Sequence, residues 1–356
     1  MCLAIPMQVV DVDGHRYVDL LGNYTAGLLG HSPEPVRRAA HAAIDDGWAL
    51  GAVHPNEVRL AELIVGRFPS IDQVRFTNSG TEANLMALAL ATNHTGRTKV
   101  VVFEGGYHGV FDAVLWYADI EEWDAAIGDP PIEADSAGVP RLLKRLTHFT
   151  PLNDANYLED LLKQHHQDIG AFLIEPMMGN CCSITAEVEY VQAARELCDR
   201  YDVVMIVDEV KTGFRVARGG VQELMGIKSD LCTFAKAVAN GYPISVVAGR
   251  EDIMRQIGDG VIHGGTYTCH SVALAAAEKT LEILDETDAL SSIRDYGLRL
   301  QDGLARILDE RDIAHSFTGA PALMGLFFAE SAPSNYREWI DSNYEFYDTL
   351  APELHN

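Results

Sequence analysis

The sequence predicts an α/β fold, in which a large domain is built on a mostly parallel sheet with helices on both faces, next to a smaller α+β part. Strands and amphipathic helices alternate from Val74 to about residue 250, as in parallel strands joined by crossover helices. Some strands, such as VVMIV before Asp208, are continuous apolar runs, which suit burial on both faces. With 47% apolar and 22% charged residues, the composition excludes a disordered chain.

The first elements precede this alternation. VVDVDGHRYVDL alternates in hydropathy around Asp13-Gly14, which predicts a β-hairpin. PEPVRRAAHAAIDDG and NEVRLAELIVGRF have the spacing of amphipathic helices. We expect residues 1–50, a hairpin and a helix, to belong to the smaller domain.

We expect the large domain to span residues 51–285. The stretch from Ala118 to Pro140 contains Pro-Pro and Gly-Val-Pro and predicts a long irregular loop, which is typical of a lid or binding loop. The other elements follow in the order strand VRFTN, helix SGTEANLMALALA, strand KVVVFE, loop GGYHG, helix NYLEDLLKQHH, strand IGAFLIEP, helix VEYVQAARELCDRY and the strands VVMIVDEV, LCTFAKAV and ISVVAG.

Helices are expected from about Val272 to Asp309, and they lead into the C-terminal part of the chain. The apolar run LMGLFFAE predicts a strand, and a last helix is expected to continue through Tyr347. We expect residues 286–356 to form an incomplete C-terminal small domain.

The charge balance narrows the possible partners. With 27 Lys and Arg against 52 Asp and Glu, the formal charge is −25. This balance argues against a nucleic-acid partner and an anionic membrane surface, since both need a basic face. No apolar run reaches membrane-spanning length, and the six Cys form no C-x-x-C. The first residues lack a basic n-region and a cleavage site, so we expect no signal peptide. We therefore expect reduced thiols in a cytoplasmic protein.

A candidate anion site lies where the strand VRFTN passes into the next helix. Ser79, Gly80 and Thr81 occupy that junction. A helix N-terminus presents backbone N–H groups and a positive dipole end, which suit a phosphate. The plainer interpretation is an ordinary helix N-cap, a position in which Ser and Thr are common.

Asp208 and Glu209 end the apolar strand VVMIV. A carboxylate at the carboxyl end of a central parallel strand lies where α/β proteins bind ligands. The alternative, a carboxylate that caps a loop, has about equal weight.

Lys236 is the strongest candidate for a reactive amine. Lysine is usually exposed, but Lys236 lies in the apolar stretch LCTFAKAV, before turn residues. A desolvated lysine has a lowered pKa and becomes nucleophilic. A lysine that extends its amine to solvent remains the alternative, and Lys211 is a second unusual lysine. Together with an aromatic residue in GGYHG, these features describe a site for pyridoxal phosphate.

These motifs also carry a family resemblance. The sequence resembles the class III aminotransferases of the fold-type-I pyridoxal-phosphate enzymes. The matching motifs are, in chain order, NSGTEAN, GGYHG, IEPMMGN, DEVKTGFRVARGG, TFAKAVANGYPIS and GGTY. The branch is that of glutamate-1-semialdehyde aminomutase. Within it, NYTAGLLGHS, DDGWALG and HGGTY are most similar to β-phenylalanine aminotransferases.

The resemblance implies a role for each matching residue. Lys236 would be the Schiff-base lysine and Asp208 the acid at the pyridine nitrogen. Val210 and Tyr107 would pack on the two faces of the ring. The phosphate would be held by Ser79, Gly80 and Thr81.

The remaining implied contacts are less direct. Thr266 would reach the phosphate of a neighbouring subunit, because the family builds its sites across a homodimer interface. Asn180 would contact the ring hydroxyl, and Glu175 would support that region. The expected substrates are an amino donor and a 2-oxo acid.

Three activities stay open at this point. An aminotransferase is favoured over an aminomutase, because Ile262 stands where the aminomutase carries a Tyr, four residues before Thr266. The stretch SAGVP still resembles the aminomutase, and a non-catalytic homologue is the third possibility. A preference for β-amino acids is suggested by a few residues near the expected site entrance, namely Asn23, Tyr24, Thr25, Trp48 and His263.

Overall fold

The computed structural model describes residues 7–48, 50–120, 123 and 130–342. Its strands are β1 (Met7–Val10), β2 (Arg16–Asp19), β3 (Gln73–Thr77), β4 (Lys99–Phe103), β5 (Trp116–Ala118), β6 (Ile132–Ala134), β7 (Thr147–Thr150), β8 (Ile169–Ile174), β9 (Met177–Met178), β10 (Ile184–Thr185), β11 (Val204–Asp208), β12 (Leu231–Phe234), β13 (Ser245–Gly249), β14 (Ser316–Ala320) and β15 (Leu323–Phe327).

Helices separate most of these strands. They are α1 (Glu34–Asp46), α2 (Pro55–Val65), α3 (Gly80–Thr95), α4 (Ala155–His165), α5 (Val188–Tyr201), α6 (Gly220–Met225), α7 (Glu251–Met254), α8 (Ser271–Glu286), α9 (Ala289–Asp309) and α10 (Tyr336–Ile340). Two 3₁₀ helices cover Arg141–Leu146 and Lys236–Ala239.

A seven-stranded sheet in the order β3-β13-β12-β11-β8-β4-β7 organises the fold. The strands β12, β11, β8, β4 and β7 pair in parallel, whereas β13 is antiparallel to both of its neighbours. The carboxyl ends of β3, β4, β8, β11 and β12 therefore meet at one edge of the sheet. This arrangement confirms the predicted α/β fold with a mostly parallel sheet.

Both faces of the sheet are covered, as the apolar run before Asp208 predicts. Along β11, Met205 and Val207 pack into one apolar cluster and Ile206 into another. The first cluster includes Leu158 of α4, and the second includes Leu90 of α3. All five residues of β11 are consequently buried.

Most predicted elements are present, including the N-terminal hairpin, in which Val10 pairs with Arg16. The prediction of an irregular loop from Ala118 to Pro140 is wrong in part, because β6 pairs there with β5. Residues 121–122 and 124–129 of that stretch lie outside the described residues. The short strands β7 and β14 were not predicted. β7 has four residues and β14 has five, and polar side chains interrupt both strands. Neither strand therefore shows a continuous apolar run.

Some predictions lie outside the described residues or are not tested. The last predicted helix corresponds to α10, and its continuation to Tyr347 falls beyond residue 342. The division into residues 1–50, 51–285 and 286–356 stays a prediction. No helix within the described residues is long and apolar enough to cross a membrane.

Candidate active site

A cavity of ≈ 250 Å³ opens at the sheet edge where the parallel strands end. Asn84, His108 and Lys211 also line it, although the sequence analysis assigned them no role in a site. The structure brings to this cavity eight of the ten predicted site residues, namely Ser79, Gly80, Thr81, Tyr107, Glu175, Asp208, Val210 and Lys236.

The N-terminus of α3 forms one wall of the cavity. Ser79 is the N-cap, and its hydroxyl accepts a hydrogen bond from the backbone N–H of Glu82 at 3.2 Å. The plainer interpretation of Ser79 is thus correct, but it does not remove the anion site. The backbone N–H groups of Gly80 and Thr81 lie in the first turn, where a helix has no internal acceptor for them.

Gly80 is required where this helix meets the strand that carries Asp208. A Cβ atom on Gly80 would lie 3.0 Å from Cγ2 of Val210. The absence of a side chain therefore lets the helix N-terminus and Val210 lie against each other. An anion bound at Gly80 and a planar group packed on Val210 would consequently be close neighbours.

Asp208, at the end of β11, is held by three hydrogen bonds. Its Oδ2 accepts from Nδ2 of Asn84 at 2.7 Å and from Nδ1 of His108 at 2.9 Å. Its Oδ1 accepts from the backbone N–H of Val210 at 2.9 Å. The side chain is 3% exposed, so its orientation at the cavity is fixed.

His108 and Asn84 hold the carboxylate of Asp208, and the sequence analysis gave neither residue a role. Nδ2 of Asn84 also donates to the backbone carbonyl of His108 at 2.9 Å, and Thr233 orients the amide through a 2.7 Å hydrogen bond to its Oδ1. Both residues belong to motifs already singled out, NSGTEAN and GGYHG. That position in a motif was the available signal.

Lys236 follows β12, the parallel neighbour of β11. Its backbone φ is 49°, in the left-handed region that a side chain with a Cβ seldom adopts. Residues held in such a conformation cost of order 1 kcal/mol and concentrate at functional sites. The half-buried side chain of Lys236 lines the same cavity as the carboxylate of Asp208.

Glu175 directly follows β8, the other parallel neighbour of β11, and supports the loop GGYHG. Its Oε1 accepts a hydrogen bond from the backbone N–H of Tyr107 at 3.0 Å. Burial raises the pKa of Glu175, and the charge of Asp208 adds to this effect, while His108 and Lys211 oppose it. Glu175 is therefore a buried acceptor for the loop.

Asn180 and Thr266 lie outside this cavity. The side-chain oxygen of Asn180 accepts a hydrogen bond from Nζ of Lys211, which itself lines the cavity. Thr266 is exposed and lines a different recess of ≈ 820 Å³, together with Trp48. The roles of Asn180 and Thr266 stay predictions.

The residues suggested for substrate choice also lie outside the cavity. Asn23, Tyr24 and Thr25 form a turn of three consecutive left-handed residues, with φ of 51°, 52° and 81°. The buried Arg215 holds this turn, because its Nη2 donates to the carbonyl of Thr25 at 2.6 Å and its Nη1 to that of Ala322 at 3.2 Å. His263 donates through Nε2 to the carbonyl of Phe76 at 2.9 Å.

The cavity fits pyridoxal 5′-phosphate. The two backbone N–H groups at Gly80 and Thr81 suit its phosphate, and the gap beside Gly80 would be lost with any larger residue. The oriented carboxylate of Asp208 suits a protonated ring nitrogen, and the amine of Lys236 suits an aldehyde. Tyr107, 42% exposed, provides an aromatic surface.

Comparisons with known proteins agree with this assignment. The family model "Aminotransferase class-III" matches residues 6–346. A glutamate-1-semialdehyde 2,1-aminomutase from Akkermansia muciniphila is 37% identical over 329 residues, which is 92% of this chain and 76% of that protein.

Solved structures of transaminases are also similar. An ω-transaminase from Sphaerobacter thermophilus superposes with a TM-score of 0.87 and 30% identity, covering 95% of this chain and 78% of that one. A β-phenylalanine aminotransferase from Variovorax paradoxus has a TM-score of 0.86 and 32% identity, covering 100% and 79%.

We predict that Asp208→Asn keeps the fold but loses most of the turnover. The amide oxygen can still accept hydrogen bonds from Asn84 and His108, although the NH2 group then faces the backbone N–H of Val210. The neutral side chain cannot balance a charge on a ring nitrogen. Loss of one charge-assisted hydrogen bond should reduce kcat roughly 10²-fold. Steady-state kinetics checks this, with the exposed Asp199→Asn as control. Turnover near that of the unmodified protein would contradict the role of Asp208.

We predict that Lys236 carries the cofactor covalently. Its amine lines the cavity, and its strained backbone places it at the end of β12. Borohydride reduction followed by peptide mapping should locate the adduct on Lys236, and Lys236→Ala should lose it. An adduct on Lys211, the other lysine lining the cavity, would reject the assignment.

Proposed function

This chain belongs to the class III aminotransferases and is a pyridoxal-phosphate enzyme, and from that premise we propose that it transfers an amino group from an amino acid to a 2-oxo acid. The observation that carries the proposal is the convergence of Lys236, Asp208 and the N-terminus of α3 on one cavity. Transfer by such a site takes two half-reactions, in which the donor leaves as an oxo product before the acceptor enters.

When bound, pyridoxal 5′-phosphate supplies an aldehyde that captures the substrate amine and a ring that accepts electrons. In our proposal, Nζ of Lys236 removes the proton from the substrate carbon that bears nitrogen and would deliver it to the carbon of the cofactor's former aldehyde group. The carboxylate of Asp208 holds the proton on the ring nitrogen, and His108 and Asn84 keep that carboxylate oriented. Gly80 and Thr81 bind the phosphate through backbone N–H groups.

The choice of transfer over isomerisation is supported at Ile262. The aminomutase resemblance places a Tyr at this position, whereas Ile262 has no hydroxyl and is 92% exposed. The similarity to the two transaminase structures supports the same choice.

The second candidate is a glutamate-1-semialdehyde 2,1-aminomutase, which keeps both half-reactions on one substrate. The relative from Akkermansia muciniphila, at 37% identity, is the observation that favours it. The two candidates share the cofactor and the roles of Lys236 and Asp208, and they differ in the need for a separate 2-oxo acid acceptor.

For the donor, we propose a β-amino acid with an aromatic side chain. The similarity to the Variovorax paradoxus enzyme supports this choice, as do the motifs around Tyr24 and Trp48. A β-amino acid holds its carboxylate one carbon further from the reacting nitrogen. A site that binds this carboxylate would leave polar groups unpaired with an α-amino acid, which gives strong discrimination.

We expect 3-amino-3-phenylpropanoate to be a better donor than alanine, glutamate or a simple aryl amine, with transfer to an added 2-oxo acid. The measurement is kcat/KM for each donor, followed through the amino acid formed from the acceptor, with Lys236→Ala as the inactive control. If alanine or the amine is best, the β-amino-acid proposal fails and transfer stands. Isomerisation of glutamate-1-semialdehyde without an acceptor would establish the aminomutase. If neither reaction occurs, the protein is a non-catalytic homologue.

We propose that the protein acts as a homodimer in the cytoplasm. Around Thr266, the recess is lined by exposed apolar residues, among them Trp48, Leu50, Val53 and Tyr267, which a second copy would cover. Free cysteines, five within the described residues, support a reducing compartment.

We predict that chains carrying Lys236→Ala and chains carrying Thr266→Ala regain activity when mixed. If each site combines Lys236 of one subunit with Thr266 of the other, a mixed dimer has one site with neither lesion. Activity after mixing should therefore rise above that of either variant alone. A cofactor-loaded monomer in sedimentation, or no recovery once subunit exchange is verified, would contradict the shared site.

A further inference from the structure

The loop Gly105–Gly109, which carries Tyr107 and His108, is held at both ends by close contacts. At Gly105, whose φ is 72°, a Cβ atom would lie 2.2 Å from Cδ2 of Tyr336 on α10. At Gly109, whose φ is 105°, a Cβ atom would lie 2.8 Å from Cα of Thr81 on α3. The loop is thus packed between the C-terminal helix and the helix that begins the phosphate site.

An ion pair strengthens the contact with α10. Glu104, immediately before the loop, has a side chain with 0% exposure. Arg337 donates to its Oε1 from Nη2 at 3.0 Å and from Nε at 3.2 Å. The guanidinium also lies over the ring of Trp123, 4.6 Å from the ring centroid. A buried carboxylate with this partner ties α10 to the start of the loop.

Two further hydrogen bonds hold the two sides of this contact separately. Asn153, after β7, donates through Nδ2 to the carbonyl of Ser334 at 2.9 Å, just before α10. The thiol of Cys181 donates to the carbonyl of Gly105 at 3.3 Å. The first bond holds the segment that leads into α10 and the second holds the loop, whereas Arg337 joins α10 to Glu104 directly.

We propose that Arg337 is a positioning residue for the cofactor site: by pairing with buried Glu104, it seats α10 against the loop Gly105–Gly109 and so sets where Tyr107 and His108 lie. The proposal rests on the cofactor site proposed above. Within the loop, Tyr107 is bonded to Glu175 and His108 to Asp208, so a shift of Gly105 reaches both residues within three positions.

The electrostatics define a test. Burial raises the pKa of Glu104, and Arg337 opposes that rise. The other titratable groups at this contact are Tyr336, Cys181 and Asp135. Burial raises the pKa of the Tyr336 hydroxyl, and the last two groups add to this effect. If Arg337 is replaced by Gln, Glu104 is left as a buried carboxylate without its cation, and its pKa rises further.

The sign of the pH dependence follows from this rise. In Arg337→Gln, the docked loop favours the protonated carboxyl, so docking is retained at acidic pH and is lost as the pH rises through the raised pKa of Glu104. The deficit in cofactor affinity should therefore grow with pH. In the double variant Glu104→Gln with Arg337→Gln, no buried charge remains, and the deficit should be small and independent of pH.

The experiment measures the affinity of each variant for pyridoxal 5′-phosphate. Each folded variant of the whole chain is titrated with the cofactor between about pH 5.5 and about pH 8.5, and binding is followed by absorbance. We expect Arg337→Gln to weaken cofactor binding roughly tenfold or more at the alkaline end, since an orphaned buried charge has that order of effect. Arg337→Lys keeps the charge and should recover most of the affinity. Arg306→Gln, which breaks an exposed pair with Glu310, is the matched control and should change nothing.

Three results would overturn the proposal. One is an unchanged affinity in Arg337→Gln, and another is a deficit that does not vary with pH. The third is a double variant as impaired as Arg337→Gln, which would mean that packing alone is at work. If Arg337→Gln does not fold, the cofactor affinities of Glu104→Gln and Arg337→Lys are compared instead. Failure of the cofactor site itself is recognised separately, because Lys236→Ala would then bind cofactor like the unmodified protein.

Discussion

The carboxylate of Asp208 is the point at which three separate segments of the chain meet. It is placed by β11, and it accepts hydrogen bonds from Asn84 on α3 and from His108 in the loop after β4. Because these donors come from different elements, the carboxylate can adopt this orientation only when the sheet, the helix and the loop are all in place. The remaining parts of the cavity are arranged around the same junction, since Gly80 begins α3 and Val210 follows β11.

The sequence was sufficient for the features that depend on local pattern. The buried strand before Asp208, the helix start at Ser79 and the unusual setting of Lys236 are each visible within about a dozen residues. The edge strand β7 and the strand β14 were missed because segments such as THFT and SFTGA have no apolar run or clear alternation. Their pairing is decided by neighbouring strands rather than by their own residues.

Side-chain partnerships were harder to predict, for a physical reason. His108 and Asp208 are separated by 100 residues, Asn84 and Asp208 by 124, and Arg337 and Glu104 by 233. The motifs NSGTEAN and GGYHG single out Asn84 and His108, but nothing local indicates which residue each of them contacts, because only the fold brings the partners together. Gly105 and Gly109 illustrate the same point. The residues that leave no room for a side chain there, Tyr336 and Thr81, lie elsewhere in the sequence.

Arg215 has a consequence for the order in which the chain is completed during synthesis. Its buried guanidinium donates to the carbonyls of Thr25 and Ala322, which lie almost 300 residues apart. A ribosome releases the left-handed turn around Thr25 long before it releases either Arg215 or Ala322. The carbonyl of Thr25 therefore gains this buried donor only after Arg215 has been made, and the guanidinium gains its second acceptor only after Ala322 has been made.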